Sequence, residues 1–239
     1  MEMIPRPPRT ILISGARRGI GAVAAQLLLA QGWSVSLGLR DGARPDWAAS
    51  WSPERLHCAP YDAHDPQAEA AWVQSALAHF GRIDAILASA GISAGKGVLD
   101  VSDDEIRDMM EVNVLAPRRL AQAAWQALAA SGSGRIIIMG SLSGKRVKSA
   151  ASGSYAMSKY AAVALTHALR HEGYAQGIRA TVICPGFVAT DMARALTSMD
   201  PAKMTQAEDI ARMIAMLLDL PNEAVVAELA VNCTLEPQF

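Results

Sequence analysis

The sequence predicts an α/β fold, a doubly wound parallel sheet of seven strands with helices on both faces. Short apolar runs alternate with alanine-rich helical stretches along all 239 residues. Most of those runs are continuously apolar, as strands covered on both faces are. In addition, a glycine-rich turn directly follows the first run and opens the first helix, which marks where an anionic ligand would gather.

Taken in order, strands are predicted at 10–14, 34–39, 55–61, 85–89, 135–140, 179–184 and 225–231. Helices are predicted at 20–31, 67–80, 103–130, 154–176 and 206–218. Ser102 stands before the third helix with Glu105 three residues on, the spacing of a capping box. Gly32 and Gly177 fall just after helical runs, where a left-handed cap favours glycine. No linker, repeat or low-complexity stretch divides the chain, so residues 1–239 read as one domain.

With 51% hydrophobic and 19% charged residues, the chain can bury a sizeable core. A formal net charge of -1 gives no field towards nucleic acid or an anionic membrane. Cys58, Cys184 and Cys233 are an odd set without metal-ligand spacing and read as thiols of a reducing compartment. His167 and His171 lie one helical turn apart, but no further ligand completes a metal site, so they read as a polar helix face. Residues 1–9 are proline-rich and lack the apolar segment of a secretory signal. No apolar run reaches the roughly 18 residues a membrane span requires. The longest candidate, 210–220, contains Arg212 and Asp219. A cytoplasmic protein is expected.

The turn reads Ser14-Gly15-Ala16-Arg17-Arg18-Gly19-Ile20-Gly21. Gly15 permits the tight turn, Gly19 lets a pyrophosphate approach the backbone, and Gly21 allows close packing of the helix. The helix N-terminus adds unpaired N–H groups and a partial positive charge. This arrangement predicts a Rossmann-type dinucleotide site.

The Gly-x-x-x-Gly-x-Gly spacing resembles that of the short-chain dehydrogenase/reductase family, and the resemblance extends over nearly the whole chain. It implies cofactor contacts from Gly15, Arg17, Arg18, Gly19 and Ile20. It implies a second set after the third strand, where Asp62, followed by Ala63, matches the family's adenine-contacting acid. Ala88-Ser89-Ala90-Gly91 stands where the family usually has Asn-Asn-Ala-Gly. Two amide side chains are therefore missing, while Ala90 and Gly91 keep the backbone route past the ribose.

The residue ending the second strand usually decides between the two nicotinamide cofactors, because an acid there binds the ribose hydroxyls of NAD and repels the 2′-phosphate of NADP. Here Leu39 holds that position and Arg40 follows it. Arg18 matches a second basic position of the family's NADP-preferring members. Two guanidiniums can bracket a phosphate, so NADP (NADPH) is the expected cofactor. Asp41 could still reach a ribose hydroxyl, which leaves NAD as a weaker alternative.

Tyr155 and Lys159 are four residues apart, hence on one helix face. A free tyrosine has a pKa of about 10, and bringing it near 7 takes roughly 4 kcal/mol of preferential phenolate stabilisation. One cation about 4 Å away supplies roughly that at an effective dielectric near 20. Lys159 together with a positive nicotinamide ring would suffice. By the family resemblance, Lys159 also bonds the nicotinamide ribose. Ser141, fourteen residues before Tyr155, stands where the family's carbonyl-polarising serine falls. Ser143 competes for the role, but Ser141-Leu-Ser-Gly144 matches the family's Ser-x-x-Gly with Ser141 first. Asn113, in Glu-Val-Asn-Val, matches the helix asparagine that holds a water for proton relay; the bland reading is a satisfied buried amide. Pro185-Gly186-Phe187-Val188-Ala189-Thr190 resembles the family's Pro-Gly segment, with Val188 and Thr190 holding the nicotinamide carboxamide.

These residues imply an oxidoreductase interconverting a carbonyl and an alcohol, with a small-molecule substrate. A short covering segment at about 192–205 suggests a small or open-sided one. Residues 231–237 lack the family's common Asp-Gly-Gly and resemble, through Asn232-Cys-Thr-Leu-Glu236, the ending of 3-hydroxy acid (serine-type) dehydrogenases in that family. The alanine-rich helices 103–130 and 154–176 resemble its paired interface helices, which implies a homotetramer or homodimer. The alternative from a different class is a catalytically silent nucleotide-sensing or scaffold protein on the same fold. Loss of Ser141, Tyr155 or Lys159 would have favoured it, and none is lost. An epimerase or dehydratase would need a larger substrate domain than this length allows.

Overall fold

Seven strands form where runs of β-branched and aliphatic residues are covered from both sides: β1 (Thr10–Ser14), β2 (Ser34–Leu39), β3 (Leu56–Pro60), β4 (Ala85–Ala88), β5 (Arg135–Met139), β6 (Arg179–Pro185) and β7 (Glu228–Val231). In the computed structural model, residues 8–236 are described. The sequence reading of the proline-rich start therefore lies largely outside the described residues. The strands are all parallel, in the order β3-β2-β1-β4-β5-β6-β7. Every residue of β1, β2, β4 and β5 is buried, whereas β3 and β7, at the two edges, are only partly covered.

Alternation along each strand divides the core into two layers. Ile11 and Ile13 of β1 pack with Leu28 of α1 (Gly19–Ala30) and with Ile210 and Ile214 of α7 (Ala207–Asp219). Leu12 and Ile86 turn the other way. They join Trp72 of α2 (Ala68–Phe80), Leu120 of α4 (Ala116–Ala130) and Ala162 of α5 (Gly153–Gly173). This is the predicted doubly wound sheet. Its winding reverses between β1 and β4, so a crevice opens at the carboxyl ends of those strands, where such folds bind ligands.

Most boundaries fall within a residue or two of the sequence reading, and three differences have physical causes. The helix expected at 103–130 is α3 (Asp103–Met110), a π-helical turn at Glu111–Leu115, and α4. There the Ala116 N–H bonds to the Glu111 carbonyl, one residue further back than in an α-helix. The helix expected at 154–176 ends as α5 at Gly173 and tightens into a 3-10 turn at Tyr174–Gln176, closed by Gly177 at φ +75°. The last strand is only Glu228–Val231; the chain ahead of it is tied instead by the Thr181 hydroxyl, which donates to the Val226 carbonyl at 2.6 Å. The expected capping box is present: the Ser102 hydroxyl accepts from the Glu105 N–H at 3.2 Å, and the Glu105 carboxylate accepts from the Ser102 N–H at 2.9 Å. Among the described residues, no helix is long and apolar enough to cross a membrane.

Candidate active site

The crevice begins at α1, whose N-terminus is bare. Arg18 occupies the N-cap position with extended backbone but lends no side-chain hydrogen bond, and the first turn carries no acid. The N–H groups that a capping side chain would satisfy are left for an anion. Gly15, at φ +69°, brings the turn against the segment after β4; a Cβ there would stand 2.6 Å from the Ala90 nitrogen. Gly19, at φ +61°, faces Thr190 across the crevice. The Ala90 N–H donates to the Ser14 hydroxyl at 3.3 Å, a tie between β1 and the Ala88–Gly91 segment that needs no asparagine amide.

Around the far end of this half, the charged residues are arranged differently from the sequence expectation. Arg18 pairs with Asp191 at 2.9 Å, at the start of α6 (Asp191–Leu196). Arg17 pairs with Asp41, which also accepts from the Ala43 N–H at 3.0 Å. Asp41 is thus held by groups of this chain, the Ala43 N–H first and then Arg17, which lower its pKa. The exposed Arg40 makes no ion pair among the described residues, and its charge reaches Asp62. Asp62 accepts from the His64 N–H at 3.1 Å, the largest of several influences that lower its pKa. The next carbonyl, that of Ala63, is held by Arg119 of α4 at 2.7 Å.

A cavity of about 430 Å³ runs from Ile20 and Gly91 past Ser141, Tyr155 and Lys159 to Gly186, Val188 and Thr190. Lys159, buried on α5, donates to the Met139 carbonyl at 2.8 Å, and its ammonium lies 5.6 Å from the centre of the Tyr155 ring. A Cβ on Gly91 would stand 3.2 Å from Asn113 Oδ1 and 3.5 Å from Lys159 Nζ, so these three meet at one point. Asn113 accepts from the Ile92 N–H at 2.9 Å and donates to the Ile92 carbonyl and the Ser158 hydroxyl, each at 2.9 Å. Its amide locks the segment after β4 onto the π-helical turn. Ser141 ends β5's path and caps a short 3-10 turn, accepting from the Ser143 N–H at 3.1 Å. Ser143 also lines the cavity. Thr190 donates its N–H to the Val188 carbonyl at 2.6 Å, folding the Pro185–Thr190 segment over the crevice.

Burial governs the protonation of this centre. It pushes Tyr155 up to about 12, only partly countered by the Ser141 hydroxyl, and pushes Lys159 down to about 8. In the protein alone Lys159 is not among the influences on Tyr155, whose pKa is set by burial, the Ser141 hydroxyl and Cys184. Tyr155 is therefore a protonated phenol at neutral pH, and Lys159 an ammonium that gives up its proton just above it. His167, one of the two helix histidines, meets Glu228 at 2.7 Å.

The other end of the cavity contains residues that motif reading passed over. Arg146, five residues after Ser141, holds Glu236 bidentately at 2.9 and 2.8 Å, and Lys148 reaches the same carboxylate at 3.0 Å. Burial would raise Glu236, but the two cations hold it down to about 2. No motif signalled Arg146 or Lys148. The C-terminal segment that suggested a 3-hydroxy acid relative contains Asn232 and Glu236, which the sequence reading did not single out as site residues and which both line the cavity.

The short chain dehydrogenase family profile matches residues 9–201. This chain belongs to that family. It is 37% identical over 227 residues to an agropine synthesis reductase of Rhizobium rhizogenes, covering 95% of this chain and 53% of that protein. The chain thus spans about half the length of that relative. It is 30% identical over 219 residues to the 3-oxoacyl-(acyl-carrier-protein) reductase of Salmonella typhimurium, covering 86% of this chain and 88% of the relative. A short chain dehydrogenase from Burkholderia cenocepacia, solved in complex with NADP, superposes with a TM-score of 0.85 at 28% identity, covering 96% of this chain and 98% of that one. Members of this family are oxidoreductases, and this chain carries the family profile over most of its length.

Proposed function

We propose that this short-chain dehydrogenase is an NADPH-dependent reductase of a small carbonyl compound, with Tyr155, Ser141, Lys159 and Asn113 as its working residues. The observation that carries the reading is that Ser141, Tyr155 and Lys159 line a single cavity reaching the bare N-terminus of α1. The residues of the crevice fit a nicotinamide dinucleotide. Gly15, Arg17, Arg18, Gly19 and Ile20 would receive its phosphates and ribose, and Asp62, Ala63, Ala90 and Gly91 its adenosine half. Pro185, Gly186, Val188, Thr190 and Lys159 would hold the nicotinamide half. Preference for NADP is supported by Arg40, which is free of ion pairs among the described residues, and by Leu39, which offers no repulsion. Asp41, tied to Arg17 and Ala43, is poorly available to a ribose hydroxyl, which argues against NAD.

When bound, NADPH supplies the hydride that adds to the carbonyl carbon. Ser141 and Tyr155 hydrogen-bond the carbonyl oxygen and so withdraw charge from the carbon. As the oxygen gains electron density, Tyr155 gives it a proton, a role suited to a phenol that stays protonated at neutral pH. Lys159 then returns a proton to the phenolate, and Asn113, which meets Lys159 beside Gly91, holds that exit in place. The alcohol-to-ketone direction reverses each step. We assign a single domain, a cytoplasmic setting and a homodimer or homotetramer. Leu115, Met157 and Tyr160, exposed on the alanine-rich helices, support pairing between copies. A panel of small oxo and hydroxy compounds, with NADPH or NADP and nicotinamide absorbance as the readout, tests the reading. Turnover of none of them, with NADPH bound, would favour a nucleotide-sensing role.

A further inference from the structure

We infer that Arg146 and Lys148, braced by Glu236, form a docking site for a carboxylate on the substrate, so that the carbonyl compound reduced here is an oxo acid; this rests on the reductase reading above. The charge count favours an anion. Arg146 and Lys148 face one carboxylate, Glu236, so the cluster keeps one positive charge at the cavity wall, with Lys148 at its half-exposed rim. Side chains of Arg146 and Glu236 are each only 14% exposed, where charge is weakly screened.

The donors are also in surplus. Glu236 takes the Nε and one Nη of Arg146 and a single hydrogen of Lys148. The second Nη of Arg146 and two ammonium hydrogens of Lys148 are left over. Asn232, whose buried side-chain nitrogen makes no hydrogen bond of ordinary geometry, also lies close enough to Glu236 to help hold its pKa down. It sits against Gly186, where a Cβ would stand 2.7 Å from Asn232 Oδ1, and so beside the Pro-Gly segment of the active site. A tie that only anchors the segment after β7 would need one cation, not two. Glu236 instead fixes the guanidinium plane and leaves an edge of donors for a second carboxylate. The same cavity holds Ser141 and Tyr155, so one bound molecule can present its carbonyl to them and its carboxylate to Arg146.

The test uses 2-oxo, 3-oxo and 4-oxo acids of four to six carbons and their methyl esters, with NADPH. At least one acid is expected to exceed its ester about 30-fold in kcat/KM. Arg146→Met should remove most of that advantage through KM and spare the ester; Lys148→Met should remove less. Because Arg146→Met also releases Glu236, a second variant guards the conclusion. Glu236→Gln takes away the competing negative charge, so acid KM should fall severalfold, whereas a purely structural tie predicts poorer binding. Calorimetry of the same acids on the protein–NADP complex reads the site without turnover, and Arg146→Met should weaken them about tenfold or more. Equal treatment of acid and ester, or acids that bind Arg146→Met as well as wild type, overturns the docking site. Esters reduced normally would leave the reductase reading standing; acids that bind through Arg146 with no carbonyl turned over would remove that reading and keep the site.

Discussion

The two halves of the crevice are built by different means. On the nucleotide side, backbone does most of the work: a bare helix N-terminus, two glycines at positive φ, and a tie from Ser14 to Ala90. On the substrate side, side chains far apart in sequence are drawn together, as Arg146 and Glu236 are across ninety residues. Backbone-built sites need particular residues at close spacing, because a turn is local. Side-chain-built sites need only charge and reach, and leave little local trace.

The largest expected effect sharpens the comparison on the nucleotide side. Arg40→Asp removes an attraction for the 2′-phosphate, which carries a charge of about -1.5 to -2 if it behaves like a phosphorylated side chain, and adds a repulsion. The NADPH-to-NADH affinity ratio should fall about a hundredfold or more, measured by titrating both cofactors at fixed salt. Arg18→Ala should change it less, because Arg18 turns towards Asp191. An unchanged ratio in Arg40→Asp would break the assignment of this half.

Lys159 links the halves, and its burial has a cost that can be measured. Its folded pKa of about 8 lies below the usual lysine value near 10.5, so below pH 8 the buried ammonium destabilises the fold. As pH rises from about 8 to 10.5 the unfolded chain holds the extra proton, and the penalty disappears. Lys159→Met should therefore lose activity yet gain stability at pH 6–7, by up to roughly 3 kcal/mol. That gain should shrink towards pH 10.5 in denaturant titrations. In the wild type, carbonyl reduction should fall as pH rises through about 8, since the proton reserve is lost; a flat profile to pH 10 would contradict this role. A smaller effect is expected from Asn113→Ala, which strands the Ile92 N–H and carbonyl and should cost about 2 kcal/mol.

Against this background, the legibility of the chain has a pattern. The strands and most helices could be read because burial on both faces of a parallel sheet writes continuous apolar runs. Gly15, Gly19 and the Tyr155/Lys159 spacing could be read because each reflects a local constraint. The π-helical turn at Glu111–Leu115 could not, since a one-residue shift in hydrogen-bond register barely alters the apolar pattern. The partners of Arg17 and Arg18 could not be told apart, as adjacent residues on a turn point in different directions that only the fold decides. The burial that raises Tyr155 in the protein alone could not be read either, because it is set by tertiary packing.

The central claim is that the two halves serve one reaction, in which cofactor is held by the first and Tyr155 supplies the proton in the second. Tyr155→Phe deletes a single hydroxyl and leaves the glycine turn untouched. With NADPH titrated first and carbonyl reduction then followed at saturation, affinity should stay within about threefold of wild type. Turnover should fall by about a hundredfold to ten-thousandfold, the usual worth of a positioned proton donor. Turnover within about threefold of wild type at full NADPH occupancy would contradict the account.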